Sequence, residues 1–247
     1  MIFGKAPIPG QVKTRLCPPL TGDEAATLQG TLVLDVVERS RAVERQLDRF
    51  LACSPSREHP FFKVMEGRHG VRLLDQVGPD VGARMAQVFE ELFGLGYRKV
   101  VMVGTDVPTL QPSSLLEAHK RLDDHDLVLG PAQDGGYFLI GLTRPTPDLF
   151  QDIPWSTDQV RALTLKKAEA LGLKVAQLAM DRDLDTVEDL LAFAQEAGLE
   201  ARGPRGGARE SAIHPAPRAP RLSARTAGVL RMLAERLRSR TDVRRET

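Results

Sequence analysis

The run Lys99-Val100-Val101-Met102-Val103-Gly104-Thr105-Asp106 decides the fold class of this 247-residue chain. Four consecutive apolar residues precede the glycine, a pattern typical of a strand that is buried on both faces. Such strands belong to the parallel sheets of α/β proteins, so we expect residues 99–103 to lie near the middle of a sheet. The turn that follows places the carboxylate of Asp106 at the carboxyl end of this strand.

Strand-like and helix-like segments alternate on both sides of this run, which predicts βαβ units around a mostly parallel sheet. Further strands are predicted at residues 2–3, 49–53, 71–74, 126–129, 137–142 and 174–178. Helices are predicted at residues 21–43, 82–95, 112–122, 156–170, 187–197 and 223–240. We expect the strands at 126–129 and 137–142 to pair antiparallel, because only a short glycine turn separates them.

Charge divides the chain at about residue 200. Residues 201–247 contain 12 arginines and 4 acidic residues and carry +8, so residues 1–200 carry −7. We predict a globular domain at 1–200, a flexible linker at 201–220 and a basic tail with a helix at 221–247. We expect the tail to contact its own domain, a partner or an anionic surface, and to be dispensable for folding. The acidic body argues against a nucleic-acid partner.

No apolar run is long enough to cross a bilayer, and the N-terminus lacks the pattern of a signal peptide. We therefore predict a cytoplasmic protein without a transmembrane segment. Cys17 and Cys53 are too few for a disulfide framework or a zinc site, which favours reduced thiols.

A basic loop follows the first strand: Lys5-Ala6-Pro7-Ile8-Pro9-Gly10-Gln11-Val12-Lys13-Thr14-Arg15-Leu16. Gly10 would let backbone N–H groups approach a pyrophosphate, and Lys5, Lys13 and Arg15 would neutralise its charge. The spacing does not fit a Walker A loop. A basic surface loop without a ligand is the alternative interpretation.

Two aspartates are candidates for binding a metal ion. Asp106 follows the central strand, and Asp185 follows the last predicted strand within Asp181-Arg182-Asp183-Leu184-Asp185. Ligands of open α/β sheets bind at the carboxyl ends of the strands, and Mg²⁺ or Mn²⁺ prefers carboxylate, phosphate and water oxygens. Either aspartate could instead cap a helix.

The turn Asp134-Gly135-Gly136-Tyr137 is a third candidate. The two glycines would let a sugar or an acceptor approach the backbone, while Asp134 accepts hydroxyl hydrogen bonds and Tyr137 packs against a ring. A simple hairpin turn is the alternative.

Together these segments, with the run Trp155-Ser156-Thr157-Asp158, resemble the bacterial rSAM/selenodomain-associated transferase family over residues 2–195. This GT-A-like group is described as glycosyltransferases and has been linked to arsenosugar biosynthesis. A more distant similarity is to phospholactate guanylyltransferases and molybdenum-cofactor nucleotidyltransferases. The resemblance implies a GT-A-like α/β sandwich of the Rossmann type, with a mixed, mostly parallel sheet.

The motifs and the resemblance together give the candidate residue roles; the resemblance itself implies those of Lys13, Arg15, Arg84, Asp106 and Asp185. Asp106 and Asp134 would be catalytic, Asp106 and Asp185 would bind Mg²⁺ or Mn²⁺, and Gly135, Gly136 and Tyr137 would bind substrate. The nucleotide and its phosphates would be bound by Lys5, Pro7, Gly10, Lys13, Arg15 and Arg84. The implied reaction is sugar transfer from a nucleoside-diphosphate sugar to a small acceptor; the alternatives are nucleotidyl transfer to a phosphorylated metabolite and nucleotide binding without catalysis.

Overall fold

The computed structural model describes residues 1–199 and 222–243, and seven strands and seven α-helices lie within them. The strands are β1 Ile2–Lys5, β2 Phe50–Ser54, β3 Arg72–Asp75, β4 Val100–Val103, β5 Leu127–Pro131, β6 Tyr137–Leu142 and β7 Val175–Gln177. The helices are α1 Gly22–Ser40, α2 Pro60–His69, α3 Val81–Gly94, α4 Pro112–Arg121, α5 Val160–Ala170, α6 Val187–Glu196 and α7 Ala224–Val243.

The strands form one sheet in the order β3-β2-β1-β4-β6-β5-β7. Strand β4 occupies the centre, as its apolar run predicted. Strand β6 pairs antiparallel with both β4 and β5, whereas the other neighbouring strands are parallel. The predicted α/β class with a mixed, mostly parallel sheet is therefore confirmed, as is the antiparallel pairing of β5 and β6.

Apolar clusters cover both faces of the sheet, because successive residues of a strand point to opposite sides. On β4, Val101 and Val103 belong to one cluster and Met102 to the other. Helices α1, α2 and α4 contribute to the first cluster, and α3 and α5 to the second. This layering leaves the carboxyl ends of the parallel strands open for a ligand.

Capping residues define the helix starts that flank this edge. Thr21 and Glu24 form a complete capping box at α1, which confirms the predicted one. Asp80 caps α3, and Thr186 forms a second capping box with Asp189 at α6.

The sequence analysis predicted no helix at α2. This helix buries only Phe62 and Met65, so its apolar periodicity is weak. Its signals are local instead: the side chain of His59 accepts a hydrogen bond from the N–H of Phe61, and Pro60 occupies the first turn.

Helix α7 packs against the body, on α1 and α6. Leu230, Leu233 and Ala234 are buried in a third apolar cluster with residues of those helices. Polar contacts reinforce the packing, since the buried carboxylate of Asp35 accepts hydrogen bonds from Ser223, Arg225 and Thr226. This burial argues against the expectation that the tail is dispensable for folding.

The predicted linker at 201–220 lies outside the described residues, so it stays a prediction. Within the described ranges, no helix combines the length and the apolar character needed to cross a bilayer.

Candidate active site

A cavity of about 420 Å³ opens at the carboxyl ends of β1 and β4, next to the amino end of the antiparallel strand β6. Its rim is formed by residues 11–15 after β1, residues 104–106 after β4, Asp134 and Gly136 before β6, and Asp183 and Asp185 before α6. We call it the carboxyl-edge cavity. Four segments that are distant in sequence and were selected from the sequence on chemical grounds thus converge on one site.

Lys13 connects the basic loop to the carboxylates. Its ammonium donates to Asp106, to the carbonyl of Leu184 at 2.6 Å and to Asp185 at 2.8 Å, and its side chain is only 3% exposed. Burial alone would lower the pKa of Lys13, but the charges of Asp106 and Asp185 outweigh burial and raise the pKa. The predicted phosphate ligand and the two predicted metal ligands are therefore partners of one another in this structure.

The backbone of Lys13 is unusual as well. Its φ of 49° and ψ of 36° are left-handed, a conformation that costs free energy for a residue with a Cβ atom. The surrounding contacts hold the residue in this conformation, and strained backbone of this kind occurs preferentially at functional sites.

Three carboxylates form an acidic cluster beside Lys13. One oxygen each from Asp134, Asp183 and Asp185 lies within 4.8 Å of the others. Burial, followed by the charges of Asp134 and Asp185, raises the pKa of Asp183 to about 6. Hard oxygen donors at this spacing, with more negative charge than Lys13 alone can balance, fit the preference of Mg²⁺ or Mn²⁺.

Eight of the predicted site residues line the carboxyl-edge cavity: Lys5, Lys13, Arg15, Asp106, Asp134, Gly136, Tyr137 and Asp185. Lys5 and Arg15 are exposed, and neither forms an ion pair with any side chain that the structure describes. Lys5 and Arg15 are therefore available to a bound anion, whereas the ammonium of Lys13 is already paired with Asp106 and Asp185.

Pro7 and Gly10 do not line the cavity, although they were predicted to bind the nucleotide. Pro7 lies against Gly30 of α1, where a Cβ atom would come within 3.4 Å of the proline ring. Gly10 has a positive φ of 76° and lies against Gly22 at the start of α1. Both residues shape the basic loop against α1.

Arg84 and Gly135 also lie outside the cavity lining. The Nε of Arg84 donates to the carbonyl of Gly78 at 3.0 Å, which holds the loop before α3. Gly135 has a φ of 88°, and a Cβ atom there would lie 2.2 Å from the carbonyl oxygen of Asp158. Their predicted contacts with nucleotide and substrate stay predictions.

The helix-capping alternatives for the two predicted metal ligands do not apply. The N-cap of α4 is Gln111, and the N-cap of α6 is Thr186. Asp106 and Asp185 consequently direct their carboxylates to Lys13 and the cavity.

Asp183 is the site residue that the sequence analysis did not select. Asp183 and Asp185 line the cavity, whereas Asp181 accepts a hydrogen bond from the hydroxyl of Thr109 at 2.8 Å. The available signal for Asp183 was its position two residues before Asp185, because residues two apart in an extended chain can share a side. The alternation does not extend to Asp181.

Trp155, Ser156 and Thr157 also line the cavity. Ser156 has a left-handed φ of 67°. In the sequence this run contributes only to the family resemblance, because a helix start and ordinary packing account for its residues without a ligand.

With this geometry established, the chain can be compared with known proteins. Residues 37–157 match the model of a family described as an uncharacterized protein conserved in bacteria, DUF2064. That range includes β4, the Asp134 turn and Trp155, but neither the basic loop nor the Asp183 segment. The sequence matches no curated protein.

Among solved structures, the chain is similar to a protein from Desulfovibrio desulfuricans G20 that is provisionally named a nucleotide-diphospho-sugar transferase. The two share 29% identity and a TM-score of 0.76, over 96% of this chain and 95% of the other.

Looser similarities are to a cytidylyltransferase from Leptospira borgpetersenii and to glucosyl-3-phosphoglycerate synthase from Mycobacterium tuberculosis. The first has 12% identity, a TM-score of 0.49 and coverage of 79% of this chain and 84% of the other. The second has 13% identity, a TM-score of 0.48 and coverage of 79% and 75%. Similarities this low carry no argument about chemistry.

Proposed function

We propose that this protein transfers a sugar from a nucleoside-diphosphate sugar to a small acceptor, with the help of Mg²⁺ or Mn²⁺. One observation carries the proposal: an acidic cluster and two cations, Lys5 and Arg15, that pair with no described side chain line the same cavity at the carboxyl edge of the sheet. A donor diphosphate that bridges the cations and a divalent ion would satisfy both. The name given to the similar protein from Desulfovibrio is in accord with this chemistry.

In this proposal Asp183 and Asp185 hold the divalent ion. Both line the cavity, and Asp183 is buried in it without an ion pair to any side chain that the structure describes. The bound ion would offset the negative charge that develops on the leaving diphosphate. Asp106 holds Lys13 against this site, and its own contact with the ion stays a prediction.

Asp134 is the exposed member of the acidic cluster, and we assign it to the acceptor. Its Oδ1 accepts a hydrogen bond from the backbone N–H of Gly136 at 2.8 Å, which orients the carboxylate at the start of β6. During transfer a bond forms between the acceptor oxygen and the anomeric carbon, and the bond from that carbon to the phosphate oxygen breaks. The diphosphate leaves with the electron pair, and the hydroxyl proton passes to Asp134.

Incubation with a panel of nucleotide sugars and Mn²⁺, followed by detection of nucleoside diphosphate, tests this function. We expect Asp134→Asn to lose transfer while it retains affinity for nucleoside diphosphate. Asp124→Asn, which changes an exposed aspartate outside the cavity, should retain both. Release of pyrophosphate from a nucleoside triphosphate, without release of diphosphate from any nucleotide sugar, would contradict sugar transfer and support nucleotidyl transfer.

A further inference from the structure

We propose that the acceptor is a small alcohol with an apolar body, either a ring or a short chain, which occupies the inner part of the carboxyl-edge cavity. The inference rests on the proposed function and adds a substrate class to it.

The inner part of the cavity is walled by seven side chains that belong to the apolar cluster on the α3 and α5 face of the sheet. They are Phe3, Val81, Met85, Met102, Tyr137, Ile140 and Trp155. We call this part the apolar chamber. Strands β1 and β4 provide its floor, and α3 and the Trp155 loop provide its roof.

Several of these side chains are incompletely packed. Phe3 lies on β1, an interior strand between β2 and β4, yet it is only half-buried, as are Val81, Tyr137 and Trp155. The interior of a folded protein normally packs such rings without gaps. Their partial exposure shows that open space reaches the face of the sheet at this point.

A close contact between Trp155 and α3 holds the roof of the chamber in place. Trp155 lies so close to Gly82 of α3 that a Cβ atom there would be 2.6 Å from the indole ring. Gly82 is the second residue of α3, and its missing side chain allows the indole to lie directly on the helix backbone. This contact sets the width of the chamber.

Among these side chains only Tyr137 and Trp155 carry a conventional hydrogen-bonding group. The hydroxyl of Tyr137 is buried out of reach of solvent, on the side of Thr164, whose own hydroxyl donates to Val160. The indole N–H of Trp155 is a single donor, so a nucleobase placed here would leave most of its polar edge unsatisfied. A phosphate or a polyhydroxylated sugar would lose still more, so an apolar body fits best.

The chamber opens where transfer is proposed to occur. Asp134, Gly136 and Tyr137 all line the cavity, and Asp134 is exposed whereas Tyr137 is half-buried. A molecule with its apolar body against Tyr137 can thus present a hydroxyl to Asp134. This direction places the donor diphosphate on the other side, near Lys5 and Arg15.

Ligand-observed NMR on the full chain with Mg²⁺ tests the proposal with three probes: benzyl alcohol, glucose and glycerol 3-phosphate. Val81→Phe would place a ring in the chamber, and Val64→Phe makes the same change at an exposed position of α2. Trp155→Ala removes part of the roof and serves as a second variant should Val81→Phe fail to fold. Affinity for nucleoside diphosphate is measured separately on every variant.

We expect benzyl alcohol to bind at least tenfold more tightly than glucose. Val81→Phe or Trp155→Ala should weaken benzyl alcohol binding at least tenfold, while Val64→Phe leaves it unchanged. Glycerol 3-phosphate, whose phosphate suits Lys5 and Arg15, should bind the chamber variants as it binds the wild type. Tighter binding of glucose than of benzyl alcohol, or benzyl alcohol affinity within twofold of wild type in both chamber variants, would overturn the proposal. If benzyl alcohol behaves as expected but no nucleoside diphosphate binds, the chamber stands and the proposed sugar transfer fails.

Discussion

Replacing Lys13 with methionine should lower the stability of the metal-free protein and raise its affinity for Mn²⁺. Methionine retains an apolar stem of similar length, so the change mainly removes the ammonium and its three hydrogen bonds. The free energy of unfolding and the metal affinity should consequently change in opposite directions, which a mere loss of packing would not produce.

The size of the stability loss follows from burial. Breaking a fully buried ion pair by removal of one partner costs about 3–5 kcal/mol. Here Lys13 is 3% exposed, but Asp106 and Asp185 are 45% and 31% exposed, so water can solvate both carboxylates after the substitution. We therefore expect a loss of about 2 kcal/mol. In a chain of this length that loss lowers the unfolding midpoint by about 4–8 °C.

The metal effect has the opposite sign because the ammonium competes with a cation for Asp185. Its removal should strengthen Mn²⁺ binding at least tenfold, or about 1.4 kcal/mol. Calorimetric unfolding in chelator and titration with Mn²⁺ measure the two effects. Lys63→Met, which removes an exposed lysine from surface ion pairs on α2, should leave both unchanged. A Lys13→Met protein with wild-type stability and wild-type Mn²⁺ affinity would refute the buried arrangement.

Three further substitutions test the metal site, the phosphate site and the packing of α7. Asp183→Asn should weaken Mn²⁺ binding at least tenfold in titration, because it removes a charged oxygen donor with little change in shape; unaltered affinity would exclude Asp183 as a ligand. Arg15→Ala should weaken binding of a nucleoside diphosphate but not of the corresponding nucleoside, and equal losses for the two would assign Arg15 a structural role. Leu233→Ala should destabilise the protein by about 2–4 kcal/mol in denaturant unfolding, whereas Met232→Ala on the exposed side of α7 should be nearly neutral; equal effects would show that α7 does not pack on the body.

The sheet could be predicted from the sequence because its strands are short apolar runs bounded by turns. Strand β6 coincides with its predicted residues, and β4 lies at the predicted centre. Helix α2 could not be predicted, since it buries too few side chains to produce a clear period. Likewise, an amphipathic pattern indicated a helix in the tail, but not that Leu230 and Leu233 would be buried against the body.

The candidate site was partly predictable for a similar reason. Loops after parallel strands meet at one edge, so Lys13, Asp106, Asp134 and Asp185 could be brought together from topology alone. The ion pairs of Lys13 could not be predicted, because Lys13 has a left-handed backbone conformation that the sequence does not specify. The burial of Asp183 depends on which way an extended segment faces, and one sequence does not specify that.

The most direct measurement for the central claim is anomalous diffraction at the manganese edge from a crystal grown with Mn²⁺ and a nucleoside diphosphate. We expect one manganese ion in the carboxyl-edge cavity, bound to oxygens of Asp183, Asp185 and the diphosphate, with Arg15 on the same phosphates. A diphosphate bound in the cavity without the ion, or a manganese ion bound only elsewhere on the protein, would contradict it.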